Sequence, residues 1–125
     1  MEYKANVIVP KMIPLEELAN DNEWILEEIA GPHGRVALKC DRPLIFGRSI
    51  QNCNMVFPEG TVGISRVHCE IVPKANGLLL KDLNSSYGTF LENGVRVNEG
   101  SPVLLKKGDV FYLASKENMF KILQD

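Results

Sequence analysis

The 125-residue sequence predicts an all-β sandwich or barrel, and three observations carry that expectation. Helical periodicity is confined to PLEELAN at 14–20, where Pro14 suits a first helical position and Glu16 and Glu17 fall in the first turn. The rest reads as short apolar or alternating segments. Gly, Pro, Asn and Asp interrupt them about every 8–12 residues, a spacing too short for helices and typical of sheet proteins.

Eleven candidate strands follow in order. EWILEEI (23–29) runs into the turn GPHG, and RVALKC (35–40) places Val36, Leu38 and Cys40 on one face by the period-2 rule. PLIFG (43–47), NMVF (54–57) and HCEIV (68–72) come next; KANG then turns the chain into LLLKD (78–82). TFL (89–91), VRVN (95–98), PVLL (102–105), DVFYLA (109–114) and NMFKIL (118–123) complete the set. One domain is expected over 23–125, preceded by an extension over 1–22 that includes the short helix at 14–20.

Composition excludes several function classes. At 45% apolar residues the chain has enough material for a packed core, which a disordered segment lacks. No apolar run approaches the about 18 residues a membrane span requires, and Lys4, Asn6 and Pro10 interrupt the N-terminal segment where a signal peptide needs an apolar core. A soluble, cytoplasmic protein without membrane insertion is expected. Cys40, Cys53 and Cys69 are odd in number and, with His33 and His68, form no metal-ligand spacing. Reduced thiols in a core, and no metal or cofactor, are therefore expected.

Net charge is −2, unevenly spread. Residues 1–34 hold two Lys against seven Asp and Glu, giving −5; residues 35–125 hold twelve Lys and Arg against nine Asp and Glu, giving +3. That excess falls well short of the dense basic face a nucleic acid needs, but it suits a small anion.

The conspicuous polar residues fall between strands, where a sandwich keeps its binding groups. Ser65 and His68 in GISRVHC (63–69) invite a nucleophile reading. A serine hydrolase also needs an orienting acid, an oxyanion hole and commonly a G-x-S-x-G elbow, and the sequence has no such elbow, P-loop or dinucleotide fingerprint. An enzyme is not expected. A phosphate receptor needs a fork-shaped cation and compact neutral donors on rigid turns, and Arg48, Ser65 and Ser86 are of those types. On this reading Ser65 donates a hydrogen bond, and His68 ties its loop to the neighbouring one.

GR at 47–48, SRVH at 65–68, DLNSSYGTF at 82–90, NG at 93–94 and LLKKGDVFYLA at 104–114 together resemble the forkhead-associated (FHA) domain, in a style closer to its bacterial members. The resemblance covers about residues 24–123. It implies an eleven-stranded β-sandwich of two antiparallel or mixed sheets, and binding of a phosphothreonine-containing protein through loops at one end. Carried over by position, Arg48 and Ser65 bind the phosphate and Ser86 assists, while Gly47, His68 and Gly88 match architectural positions. Arg66, Ser85, Tyr87 and Asn93 are expected beside the peptide. Tyr87 stands where the family commonly has asparagine, and Glu92 lengthens the turn before Asn93 and Gly94. The function implied is a phosphothreonine-dependent interaction module in serine/threonine kinase signalling. The alternative is a phosphate-independent interaction or oligomerisation scaffold, to which Tyr87 lends its support.

Overall fold

The computed structural model describes residues 24–31, 33–38 and 42–124. The extension 1–22 with its expected helix at 14–20, and Cys40, lie outside the described residues. Among the described residues ten strands are formed: β1 Trp24–Ala30, β2 Arg35–Leu38, β3 Leu44–Gly47, β4 Met55–Val56, β5 Cys69–Lys74, β6 Gly77–Asp82, β7 Thr89–Leu91, β8 Val103–Leu105, β9 Val110–Leu113 and β10 Met119–Gln124. They pack as two five-stranded sheets, ordered β2-β1-β10-β9-β7 and β4-β3-β5-β6-β8. All pairings are antiparallel except β3 with β4, so the second sheet is mixed.

The all-β sandwich expected from the sequence is the fold observed, with one segment formed differently. VRVN forms no ladder: Arg96 makes an isolated bridge to Phe90, and Val97 N–H donates to the Thr89 carbonyl. β7 is short, and the Leu91–Gly94 turn doubles back on it at once (Gly94 N–H to Leu91 O, 2.9 Å), leaving room for a bridge alone.

Alternation sets the inner faces. Cys69, Ile71 and Pro73 of β5, and Phe120 and Ile122 of β10, point inward. Phe46 from the second sheet meets Phe111 and Phe120 from the first edge-on, at centroid separations of 6.1 and 5.3 Å. Such aromatic contacts add to the area term that holds two sheets together. Cys53 and Cys69 are free and buried. No helix among the described residues is long and apolar enough to cross a membrane.

Register then decides which loops meet. β3 pairs with β5 (Phe46 opposite Cys69), so the chain leaving β3 at Gly47 lies beside the chain entering β5. β5 pairs with β6 (Cys69 opposite Asp82), which sets the β6–β7 loop against the same point, and Leu83 N–H donates to His68 O at 2.9 Å. Three loops that are distant in sequence converge at one end of the sandwich.

Candidate functional site

Arg48, the first residue after β3, is fixed before any ligand arrives. Its backbone N–H donates to the Ser65 carbonyl (3.2 Å) and its Nε to the Ile64 carbonyl (2.7 Å). Nη1 reaches the Glu59 carbonyl (3.3 Å) and the Glu59 carboxylate (3.1 Å). The Arg48 side chain is 23% exposed and lines a hollow of about 310 Å³ together with Glu59, Gly60, Thr61, Gly63, Ile64, Ser65, Ser86 and Tyr87. Gly47 permits this geometry: a Cβ there would run into the Arg66 carbonyl oxygen and lie 2.8 Å from the Cys53 sulfur. Any larger residue would push the two loops apart.

His68 is a fully buried clamp. The Ser65 N–H donates to its Nδ1 at 3.0 Å, so Nδ1 carries a lone pair and the proton resides on Nε2, which donates to the Gly88 carbonyl at 2.9 Å. One imidazole therefore joins the loop before β5 to the loop before β7. Burial pulls the His68 pKa below its ordinary value; the Gly88 hydrogen bond and the Asp82 charge act against this, and Arg96 adds to it. Both ring nitrogens are committed to the backbone, so the ring is not placed to take a proton from the Ser65 hydroxyl. Gly88 adopts φ +94°, a conformation that favours glycine, and a Cβ there would also sit 2.8 Å from the Phe90 ring.

The β6–β7 loop separates its two serines. Asp82, buried at the end of β6, accepts from Ser85 N–H (3.0 Å), from the Ser85 hydroxyl (2.6 Å) and from the Thr89 hydroxyl (2.7 Å). Such a carboxylate is tolerable inside a protein because its acceptor sites are filled. Asn84 at φ 64° turns the chain. The Gly88 N–H donates to Ser85 Oγ at 3.1 Å, closing the loop on itself. Ser86 is the outward serine, and its N–H donates to Ser65 Oγ at 3.0 Å.

The structure thus brings Arg48, Ser65, Ser86 and Tyr87 to one hollow, with Gly47, His68 and Gly88 in the framework beneath. Arg66 stands at the rim, exposed, its Nη1 3.9 Å from the Glu59 carboxylate. Two residues expected beside the peptide have other places. Ser85 is only 5% exposed and its hydroxyl is spent on Asp82 and Gly88, so it holds the loop and is not turned outward. Asn93 caps its own turn by accepting from Val95 N–H (3.0 Å). It lines a separate hollow of about 410 Å³ with Leu91, Glu92, Val103, Leu104, Leu105, Asp109 and Val110. That hollow is larger but holds two carboxylates and no cation, so it repels an anion.

Sequence reading missed Glu59 and Asp82. Asp82 carried a signal, since an aspartate three residues before a serine in a turn commonly captures its N–H. Glu59 carried none, because only the path of the β4–β5 loop brings it to Arg48. Among the described residues no cluster of three or more His, Cys, Asp or Glu is placed to hold a metal.

Comparison with known proteins agrees with this architecture. The FHA domain family model matches residues 44–114, more than half of the chain, and the chain belongs to the FHA domain family. Among solved structures it is similar to the FHA domain of the CT664 protein from Chlamydia trachomatis, at 24% identity and TM-score 0.69, with 81% of this chain and 96% of that one covered. It is similar at 29% identity to an FHA domain from a study of phosphothreonine-dependent FHA interactions, at TM-score 0.64 with 81% and 95% covered. It is also 29% identical to the FhaA FHA domain solved in complex with the intracellular domain of Rv3910, at TM-score 0.63 with 79% and 98% covered. No curated protein matches significantly.

Proposed function

We propose that this chain is a phosphothreonine-dependent protein–protein interaction module of serine/threonine kinase signalling. The observation that carries this reading is a set of unspent donors aimed at one hollow. Among the described residues, no hydrogen bond engages Arg48 Nη2, the hydroxyl hydrogen of Ser65 or the hydroxyl of Ser86. Ser65 Oγ already accepts from Ser86 N–H, so what it has left to offer a ligand is its proton. A phosphate group brings about −1.5 to −2 charge and three acceptor oxygens, which Arg48 Nη2 and two hydroxyls can meet. The immobilised Arg48 meets it with little loss of side-chain entropy.

Tyr87, 67% exposed at the rim, offers a ring face to the peptide rather than the paired donor and acceptor of an amide. We assign residues 23–125 to the domain and 1–22 to an extension outside it. The role is recognition rather than catalysis, because His68 is committed to holding two loops. The phosphothreonine-dependent and complex-forming relatives support the same reading for this chain. Titration with an oriented phosphothreonine peptide library, beside its unphosphorylated counterpart, tests it. Saturable binding of the phosphorylated library alone is expected; equal binding of both would favour the phosphate-independent scaffold.

A further inference from the structure

Glu59 is an unexpected group in a pocket for an anion. Its carboxylate stands 3.1 Å from Arg48 Nη1 and 3.9 Å from Arg66 Nη1, so both cations of the site share one internal counter-ion. At 74% exposure it is held by these charges and not by packing, and it can swing away. An incoming phosphate competes for the same guanidinium, and Glu59 cannot stay beside it without like-charge repulsion. Phosphate binding therefore takes Arg48 from Glu59 and leaves the carboxylate only the longer, exposed contact with Arg66. A ligand with neutral neighbours leaves it so. A ligand with lysine or arginine beside the phosphothreonine supplies a new partner and recovers the lost ion pair.

Resting on the phosphate reading above, we propose that Glu59 makes this site select phosphothreonine ligands with a basic residue next to the phosphorylated one. Glu59 is then a specificity-determining residue: it weakens phosphothreonine in neutral or acidic surroundings and accepts it in basic ones. The Glu59 side chain is 74% exposed, so a ligand side chain can reach it.

The test uses an alanine-flanked phosphothreonine peptide and its counterparts with one lysine walked through the neighbouring positions, titrated against the wild type and Glu59→Gln. In the wild type at least one lysine position should bind about two- to fivefold more tightly than the alanine peptide at low salt, the range of an exposed ion pair, and less so at high salt. In Glu59→Gln that advantage should vanish, while the alanine peptide binds more tightly than it does to the wild type. Binding of the alanine peptide with no lysine advantage, or an advantage that survives in Glu59→Gln, overturns the role of Glu59 and leaves the phosphate reading standing. Failure of every phosphopeptide to bind either protein overturns both.

Discussion

The backbone N–H of Ser65 donates to Nδ1 of His68, three residues on, at 3.0 Å. This bond fixes the neutral tautomer of a buried imidazole whose other nitrogen holds the Gly88 carbonyl. The apparent nucleophile–base pair of the sequence is thus a loop clamp in which the serine contributes its amide to the histidine and keeps its hydroxyl for the hollow.

Protonating His68 would place a proton against the Ser65 amide. Its folded pKa is lowered, chiefly by burial, so the unfolded chain binds the proton first as pH falls. The His68 contribution to stability is complete above the unfolded value near 6.5 and declines as pH drops below it. Thermal melts across pH 5–8 should show a decline at the acid end that is absent in His68→Ala, whose stability should be lower throughout. An unchanged acid slope in the variant would contradict the clamp.

His33 should behave in the opposite sense. Its Nδ1 lies 3.2 Å from the buried Glu28 carboxylate, which also accepts from the His33 backbone N–H, and Nε2 lies 2.8 Å from the Val56 carbonyl. Burial lowers its pKa, but the Glu28 hydrogen bond, the Val56 carbonyl and the Glu28 charge together outweigh it, and the net shift is upward. The imidazolium form satisfies both acceptors across the two sheets. Its stabilisation is fully present below the unfolded value near 6.5 and is lost as pH rises through the higher folded value. His33→Gln should flatten the alkaline side of the stability profile and leave the acid side to His68.

Arg48→Ala should weaken a phosphothreonine peptide by about 2–4 kcal/mol, roughly thirtyfold or more, because charge-assisted bonds to the phosphate are lost. Arg48→Lys should recover only part, since an ammonium cannot reproduce the fork. Calorimetry on both variants, with melting curves to confirm folding, checks this; alanine-variant affinity equal to wild type would remove the phosphate model.

The two serines of the β6–β7 loop should part company. Ser85→Ala strips the buried Asp82 carboxylate of a donor and leaves the Gly88 N–H without an acceptor, at a cost of about 1–3 kcal/mol in stability. Ser86→Ala removes an outward hydroxyl and should leave the melting temperature nearly unchanged while lowering phosphopeptide affinity. Chemical denaturation and titration of the pair separate the roles, and the reverse pattern would refute the assignment.

Gly47→Ala should destabilise the domain by about 1–3 kcal/mol, the usual cost of forcing extra volume into a packed site. The added methyl collides with the Arg66 backbone, so the loop carrying Ser65 must move. Stability like that of the wild type would show that the loops are not held as tightly as the contact implies.

Local physical chemistry determined the strands. Alternation of buried and outward residues in CEIVPK or MFKILQ, and turn residues between segments, are properties of neighbours in the chain, and they were legible without coordinates. The positions of Arg48, Ser65 and Ser86 between strands were equally legible, because a loop needs only strand ends on either side. Tertiary structure decided the rest. VRVN has a strand's composition, but the tight turn after β7 allows it a single bridge. Ser85 and Ser86 are adjacent and identical in chemistry; the spacing from Asp82 marks Ser85 as the one it captures, and the β5–β6 register that buries Asp82 turns Ser85 inward with it. Asn93 falls into a different hollow, and Glu59 reaches Arg48 from eleven residues away. Sequence composition specifies which groups can donate, accept or carry charge. Which of them share one small volume depends on pairing registers and loop paths, and these are fixed only when both sheets close on their common core.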